Sequence, residues 1–114
     1  MNISMGLAQP DDILLTDWNA SILGPNGTPH ADRFYELRVT CGPDYPDRPP
    51  EVRFVSKINL ACVDQRTGEL TRDFPALANW NRNNTIESLL VQVRNSMTSA
   101  ANRRLTQPPE GSYF

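Results

Sequence analysis

Nucleophilic or metal chemistry in this chain would have to start from two cysteines, Cys41 and Cys62, and a single histidine, His30. A thiol becomes reactive when a base or a positive helix end lowers its pKa. His30 sits in a turn far from Cys62 in sequence, and a cysteine without such a neighbour behaves as a small buried hydrophobe. The three residues are also too few, at unsuitable spacing, for a structural zinc site. Asp11-Asp12 has no partner in view for acid–base work and reads as a solvated turn or strand entry. Arg103-Arg104 reads as the positively charged end of a helix. Nothing in the sequence asks for a metal or a cofactor.

Composition narrows the classes further. The 114 residues carry 11 Lys and Arg against 13 Asp and Glu, a net charge of −2, so there is no cationic footprint for a phosphate backbone and no direct nucleic-acid role is expected. No apolar run approaches the ~20 residues that span a bilayer, so no membrane role is expected either. The segment 1–7 lacks a basic n-region, and two cysteines in such a chain read as free thiols in a reducing compartment. The length suits a single domain over residues 1–114.

The elements that position these residues follow from periodicity. In residues 12–23, Leu14, Trp18, Ala20 and Ile22 share one parity while Asp17, Asn19 and Ser21 share the other, as in a half-buried strand. A run of turn formers, Gly24-Pro25-Asn26-Gly27-Thr28-Pro29, leads to a second strand over 33–41. That strand points Tyr35, Leu37, Val39 and Cys41 inward and Phe34, Glu36, Arg38 and Thr40 outward. Phe34 is a large ring among charged neighbours, and an exposed aromatic of this kind marks candidate partner surface. The prolines of 43–50 exclude a helix or a central strand, and 51–56 then alternates again with Val52 and Phe54 inward. Three strands joined by short connections predict an antiparallel meander.

From Lys57 to Trp80, about two dozen residues show no clear period, a stretch held by local packing or kept for function. Asn84 and Glu87 have the spacing of a capping box. Ile86, Leu89, Leu90, Val93 and Met97 then form one apolar stripe, predicting a helix of about four turns that covers the sheet. Gln107-Pro108-Pro109-Glu110-Gly111 ends regular structure. The fold class is α+β.

The stretch Cys41-Gly42-Pro43-Asp44-Tyr45-Pro46-Asp47-Arg48-Pro49-Pro50-Glu51-Val52-Arg53-Phe54 resembles the proline-rich connection of ubiquitin-conjugating enzymes. The resemblance continues through Ser56-Lys57-Ile58-Asn59, through Leu77-Ala78-Asn79-Trp80 and into the helix after Thr85. Trp18-Asn19-Ala20-Ser21-Ile22-Leu23-Gly24-Pro25 and the ending Gln107-Pro108-Pro109-Glu110-Gly111 resemble more narrowly the catalytically inactive variants of that family. Active members carry the thioester-forming cysteine three residues after a glycine. Gly68-Glu69-Leu70-Thr71 stands there instead, so the resemblance puts Thr71 where the thiol is missing. Leu60-Ala61-Cys62 replaces the enzymes' His-Pro-Asn, with one residue's difference in spacing to Gly68, and Trp80 is followed by Asn81-Arg82 rather than Ser-Pro. A threonine hydroxyl without an adjacent base is a poor nucleophile.

The resemblance therefore implies a non-catalytic subunit that binds an acceptor ubiquitin and assists an active conjugating enzyme, in cytoplasm and nucleus, in making signalling-type chains for DNA damage tolerance. It places acceptor contacts at Ser4, Ser21 and Phe34. The variants open with an amphipathic helix bearing an aromatic anchor for the partner enzyme. Met1-Asn2-Ile3-Ser4 aligns after that helix, so the expectation is a ubiquitin-conjugating-enzyme-like fold, an antiparallel meander packed on one long helix and reduced at both ends, with weakened partner binding. Two other readings stay open: a stand-alone ubiquitin-binding adaptor, and an active enzyme using Cys62.

Overall fold

The computed structural model describes residues 3–7 and 17–114. Four strands, β1 (Ile3–Leu7), β2 (Asp17–Leu23), β3 (Phe34–Thr40) and β4 (Glu51–Phe54), form one antiparallel sheet in sequence order. Three helices follow: α1 (Pro75–Ala78), α2 (Ile86–Ser96) and α3 (Ala100–Arg103).

Strand parity decides the sheet. Ala20 and Ile22 of β2, Tyr35, Leu37 and Val39 of β3, and Val52 and Phe54 of β4 are all buried, with Cys41 just beyond β3. They form one core with the α2 stripe of Ile86, Leu89, Leu90, Val93 and Met97. The Arg94 side chain fixes the helix at one end, its Nε donating to the Leu23 carbonyl at 2.9 Å.

The meander has one strand more than periodicity predicts. Ile3–Leu7 pairs with β2 although Gly6 and the small serine give it little alternation of its own. The partner strand, rather than local propensity, makes it a strand. Of the predicted first strand, residues 12–16, with Leu14 and the Asp11-Asp12 pair nearby, lie outside the described residues.

The helix cap is one residue later than Asn84 and Glu87 suggest. The Thr85 hydroxyl accepts from the Ser88 amide and the Ser88 hydroxyl accepts from the Thr85 amide, both at 3.0 Å. This serine closes the box as a glutamate would, and Glu87 is left in the first turn, where the helix dipole favours it. The helix has 11 residues, about three turns rather than four. It stops before Met97, whose side chain is still fully buried, because the chain turns there into α3, capped by the Ser99 hydroxyl.

The aperiodic stretch 57–80 is ordered by packing. Ile58, Leu60, Val63, Leu70 and Phe74 are buried at irregular intervals. Gly68 adopts φ +85°, and a Cβ there would lie 2.5 Å from the Phe54 carbonyl oxygen and 2.6 Å from the Phe114 ring. The C-terminal segment does not simply end the fold. The Lys57 amide donates to the Ser112 carbonyl at 2.8 Å and the Phe114 amide to the Val55 carbonyl at 3.0 Å, adding a short antiparallel bridge past β4.

His30 is not a turn histidine in water. It is fully buried, packed edge-on to Tyr35 with ring centroids 5.9 Å apart, and neither ring nitrogen makes a hydrogen bond. Its carbonyl closes on Gly24, where any Cβ would collide with it. Above it, Arg33 donates to the Pro108 carbonyl at 2.7 Å, and Gln107 exchanges two bonds with the Asn59 backbone. Burial lowers the His30 pKa, Arg33 lowers it further, and the Asn59 backbone and Gln107 side chain only partly oppose them. Burial also pushes the Tyr35 phenol up to about 12, with Glu110 adding to the rise and Arg33 opposing it.

Two outcomes follow from this core. Leu90→Ala removes a side chain with no exposed surface and is expected to cost about 2–5 kcal/mol in urea unfolding. His30 binds its proton more readily when unfolded, so its contribution is complete above pH 6.5 and declines as pH falls below that value. Chemical denaturation between pH 7.5 and 5 is expected to show stability falling with acid, and His30→Gln to flatten that slope.

Candidate functional site

The buried parity of β2 and β3 forces Ser21 and Phe34 to the opposite face. β1 brings Ser4 beside them: Ser4 and Ser21 are register partners, and their hydroxyl oxygens are 2.6 Å apart. Ser21 also pairs with Glu36, two residues from Phe34 on the same face of β3. Phe34 is 69% exposed, more than any other large apolar side chain among the described residues. The three residues expected from the sequence thus share one outward surface across three strands. A shallow depression of about 460 Å³ lies within it, lined by Ser4, Gly6, Asn19, Ser21, Glu36 and Arg38. Nothing lies within 4 Å of where a Cβ on Gly6 would be, so the serine pair has open space beside it.

Such a surface suits a folded protein partner rather than a small molecule. The depression is open, with two hydroxyls able to exchange donor and acceptor roles. Phe34 supplies rigid apolar area on the same outward face, the kind of side chain on which binding energy concentrates.

The second region surrounds Thr71, the residue that the resemblance sets where the thiol is missing. Thr71 is half-buried, its amide donating to the Cys62 carbonyl at 2.8 Å and its carbonyl accepting from the Phe74 amide at 3.1 Å. Val63 and Leu70 bridge just inside that pair, and the loop beyond closes through the Gly68 amide on the Asp64 carbonyl at 2.8 Å. Thr71 and Cys62 are therefore backbone neighbours, a juxtaposition their separation in sequence does not announce. Burial raises the Cys62 pKa; Ser96 and the local backbone oppose it, and Asp73 adds to the rise. The thiol stays protonated near neutrality and is a weak nucleophile. Cys41 is buried, and burial followed by Asp17 raises its pKa too. His30 stays enclosed against Tyr35 and serves neither cysteine. Among the described residues, no group of three His, Cys, Asp or Glu side chains is placed to hold a metal ion.

Asn102 is the polar residue that sequence reading passes over. It is buried, its Oδ1 accepting from the Ala61 amide at 2.9 Å and its Nδ2 donating to the Ser96 carbonyl at 2.8 Å. It pins Leu60-Ala61-Cys62 to the end of α2. The available signal was a poor helix former placed inside a short helix. Trp80 is likewise a packing residue, its indole donating to the Pro46 carbonyl at 2.8 Å with its ring 6.0 Å from Tyr45.

Comparison with known proteins identifies the family. The family model described as ubiquitin-conjugating enzyme matches residues 2–110. The ubiquitin-conjugating enzyme variant MMS2 of Saccharomyces cerevisiae is 51% identical over 97% of this chain and 81% of its own length. Spm2 of Schizosaccharomyces pombe, described as a ubiquitin-conjugating enzyme, is 47% identical over 97% and 81%. The E2 variant 1D of Arabidopsis thaliana is 45% identical over 98% and 77%. The structure of human ubiquitin-conjugating enzyme E2 G1 superposes with a TM-score of 0.77, at 26% identity, over 86% of this chain and 80% of that one. With the family model covering nearly all of it and its similarity running to proteins named as variants, the chain belongs to the ubiquitin-conjugating enzyme family, in the variant branch.

Proposed function

We propose that this chain is the non-catalytic subunit of a ubiquitin-conjugating heterodimer working in cytoplasm and nucleus. An active partner enzyme carries donor ubiquitin as a thioester. This chain holds a second ubiquitin on the Ser4, Ser21 and Phe34 surface and turns one of its lysines toward that thioester. The products are signalling-type chains of the kind used in DNA damage tolerance.

The observation that carries this reading is the pairing of an open outer face with a closed reaction centre. The sheet offers a serine pair and a 69% exposed phenylalanine. The position of the missing thiol offers a threonine whose amide is spent on Cys62. The catalytic contribution is then positional. Holding acceptor and donor together replaces an encounter in solution with an effectively intramolecular attack. It also selects linkage, since only a lysine that reaches the thioester reacts.

A chain-synthesis assay with activating enzyme, ATP, ubiquitin and an active conjugating partner tests this. Phe34→Ala removes apolar contact worth about 1.5–3 kcal/mol if fully buried, so initial rates at subsaturating ubiquitin are expected to fall about tenfold or more. Ser21→Arg is expected to block the surface outright. Both variants should keep wild-type affinity for the partner enzyme by calorimetry, and Cys62→Ser should be silent. Undiminished chain growth in both surface variants, or a thioester on Cys62, defeats the reading.

A further inference from the structure

The connection from β2 to β3 holds two residues that neither the core nor the acceptor face uses. Asn26-Gly27 is the single place in the chain where glycine follows asparagine. Both residues are exposed. Gly27 stands at φ +77°, and nothing lies within 4 Å of where its Cβ would be. The turn is closed by the residues on either side of them. The Thr28 hydroxyl donates to the Pro25 carbonyl at 2.8 Å and accepts from the His30 amide at 3.2 Å. The Ala31 amide donates to the Thr28 carbonyl at 3.1 Å. Among the described residues, neither the Asn26 side chain nor the Gly27 amide has a hydrogen-bond partner.

A carboxamide next to a peptide nitrogen in this state can react with it. Once the Gly27 amide gives up its proton to solvent base, its nitrogen attacks Cγ of Asn26. A C–N bond forms, the side-chain nitrogen takes up a proton and leaves as ammonia, and a five-membered imide joins the two residues. Water then opens the ring. Cleavage between Cγ and the nitrogen gives aspartate; cleavage between the main-chain carbonyl carbon and the nitrogen gives isoaspartate, whose main chain runs through the former side chain. Either product adds one negative charge. Glycine is the residue that least obstructs ring closure, having no side chain and the widest backbone freedom. The other asparagines lack this combination: Asn95 precedes Ser96 within α2, Asn19 precedes Ala20 within β2, and Asn102 has both side-chain polar atoms engaged.

The surroundings confine the damage. The Gly24 amide donates to the Arg33 carbonyl at 2.8 Å, the His30 backbone closes on Gly24, and the His30 side chain is fully buried. This lock stands between Asn26 and both strands, so the added main-chain carbon of isoaspartate is taken up outside it.

We propose that Asn26 is a site of spontaneous deamidation in the folded chain, converting to aspartate and isoaspartate while β2 and β3 keep their pairing. The step needs only water and does not depend on what the acceptor face binds.

The full chain, aged in buffer at pH 6 and at pH 8.5 and then mapped by peptide mass spectrometry, tests the site. A gain of one mass unit is expected at Asn26, faster at the higher pH because the step begins with loss of an amide proton. It should outpace every other asparagine by about tenfold or more, since only Asn26 precedes a residue without a side chain. An isoaspartyl carboxyl methyltransferase supplied with a radiolabelled methyl donor should label the aged wild type and leave aged Asn26→Gln unlabelled. Amide NMR spectra of the aged chain should move at residues 26–28, with the resonances of β2 and β3 in place. Absence of conversion at Asn26, conversion no faster there than at other asparagines, or label that persists in Asn26→Gln overturns the proposal. So does an aged spectrum in which the strand resonances have moved.

Discussion

The register of β2 against β3 is the constraint on which the outer surface depends. Ile22 faces Tyr35, Ala20 faces Leu37 and Trp18 faces Val39, and five of these six side chains are buried. Because side chains alternate with a period of two, a slip of one residue would carry the slipped strand's set into water and bring its outward residues, Ser21 of β2 or Glu36 and Arg38 of β3, into the core. The interior therefore dictates the exterior. Ser21 and Phe34 are where they are because Ile22 and Tyr35 cannot be anywhere else. β1 has few such anchors, and its alignment rests largely on the β2 ladder that sets Ser4 against Ser21.

The loop around Thr71 shows the opposite balance. Little of it is periodic, yet it is held from several sides: by Asn102 on the Ala61 amide, by the Thr71 amide on the Cys62 carbonyl, and by the Phe114 ring against Gly68. A loop fastened in this way keeps its shape through backbone and packing contacts alone. The raised pKa of Cys62 fits a residue that fills space, since a working nucleophile would need the shift to run the other way.

What the sequence made legible were the elements in which one face repeats. β2, β3, β4 and the α2 stripe were each readable from spacing, and their buried residues were the expected ones. The outward pair Ser21 and Phe34 came with them, as the complement of the same pattern. The rest depends on contacts between distant segments. Ile3–Leu7 becomes a strand only by pairing with β2. His30 looks like a turn residue until the segment carrying Gln107 and Pro108 folds over it. The capping box moved by one position because Thr85 and Ser88 satisfy one another as well as a glutamate would, a choice the pattern around Asn84 leaves undecided. The neighbourhood of Cys62 and Thr71 likewise needs a hairpin that no local period announces.

On the proposed reading, small area and weak grip at the acceptor face are what the task requires. Orientation of two reactants can supply up to about 7–11 kcal/mol toward a reaction without any tight ground-state complex. Extra affinity for acceptor ubiquitin would slow its departure after each transfer without improving the angle at which its lysine meets the thioester. Rigidity matters more than strength, and a sheet pinned from behind by a close-packed core is a stiffer mount than a loop. One hydroxyl pair and one ring are enough to fix a face if the backbone beneath them does not move. The serines also have a negative role. Larger side chains at Ser4 or Ser21 would lift the bound protein off the sheet and swing its lysine away from the partner's thioester, so smallness at these two positions is itself part of the aim.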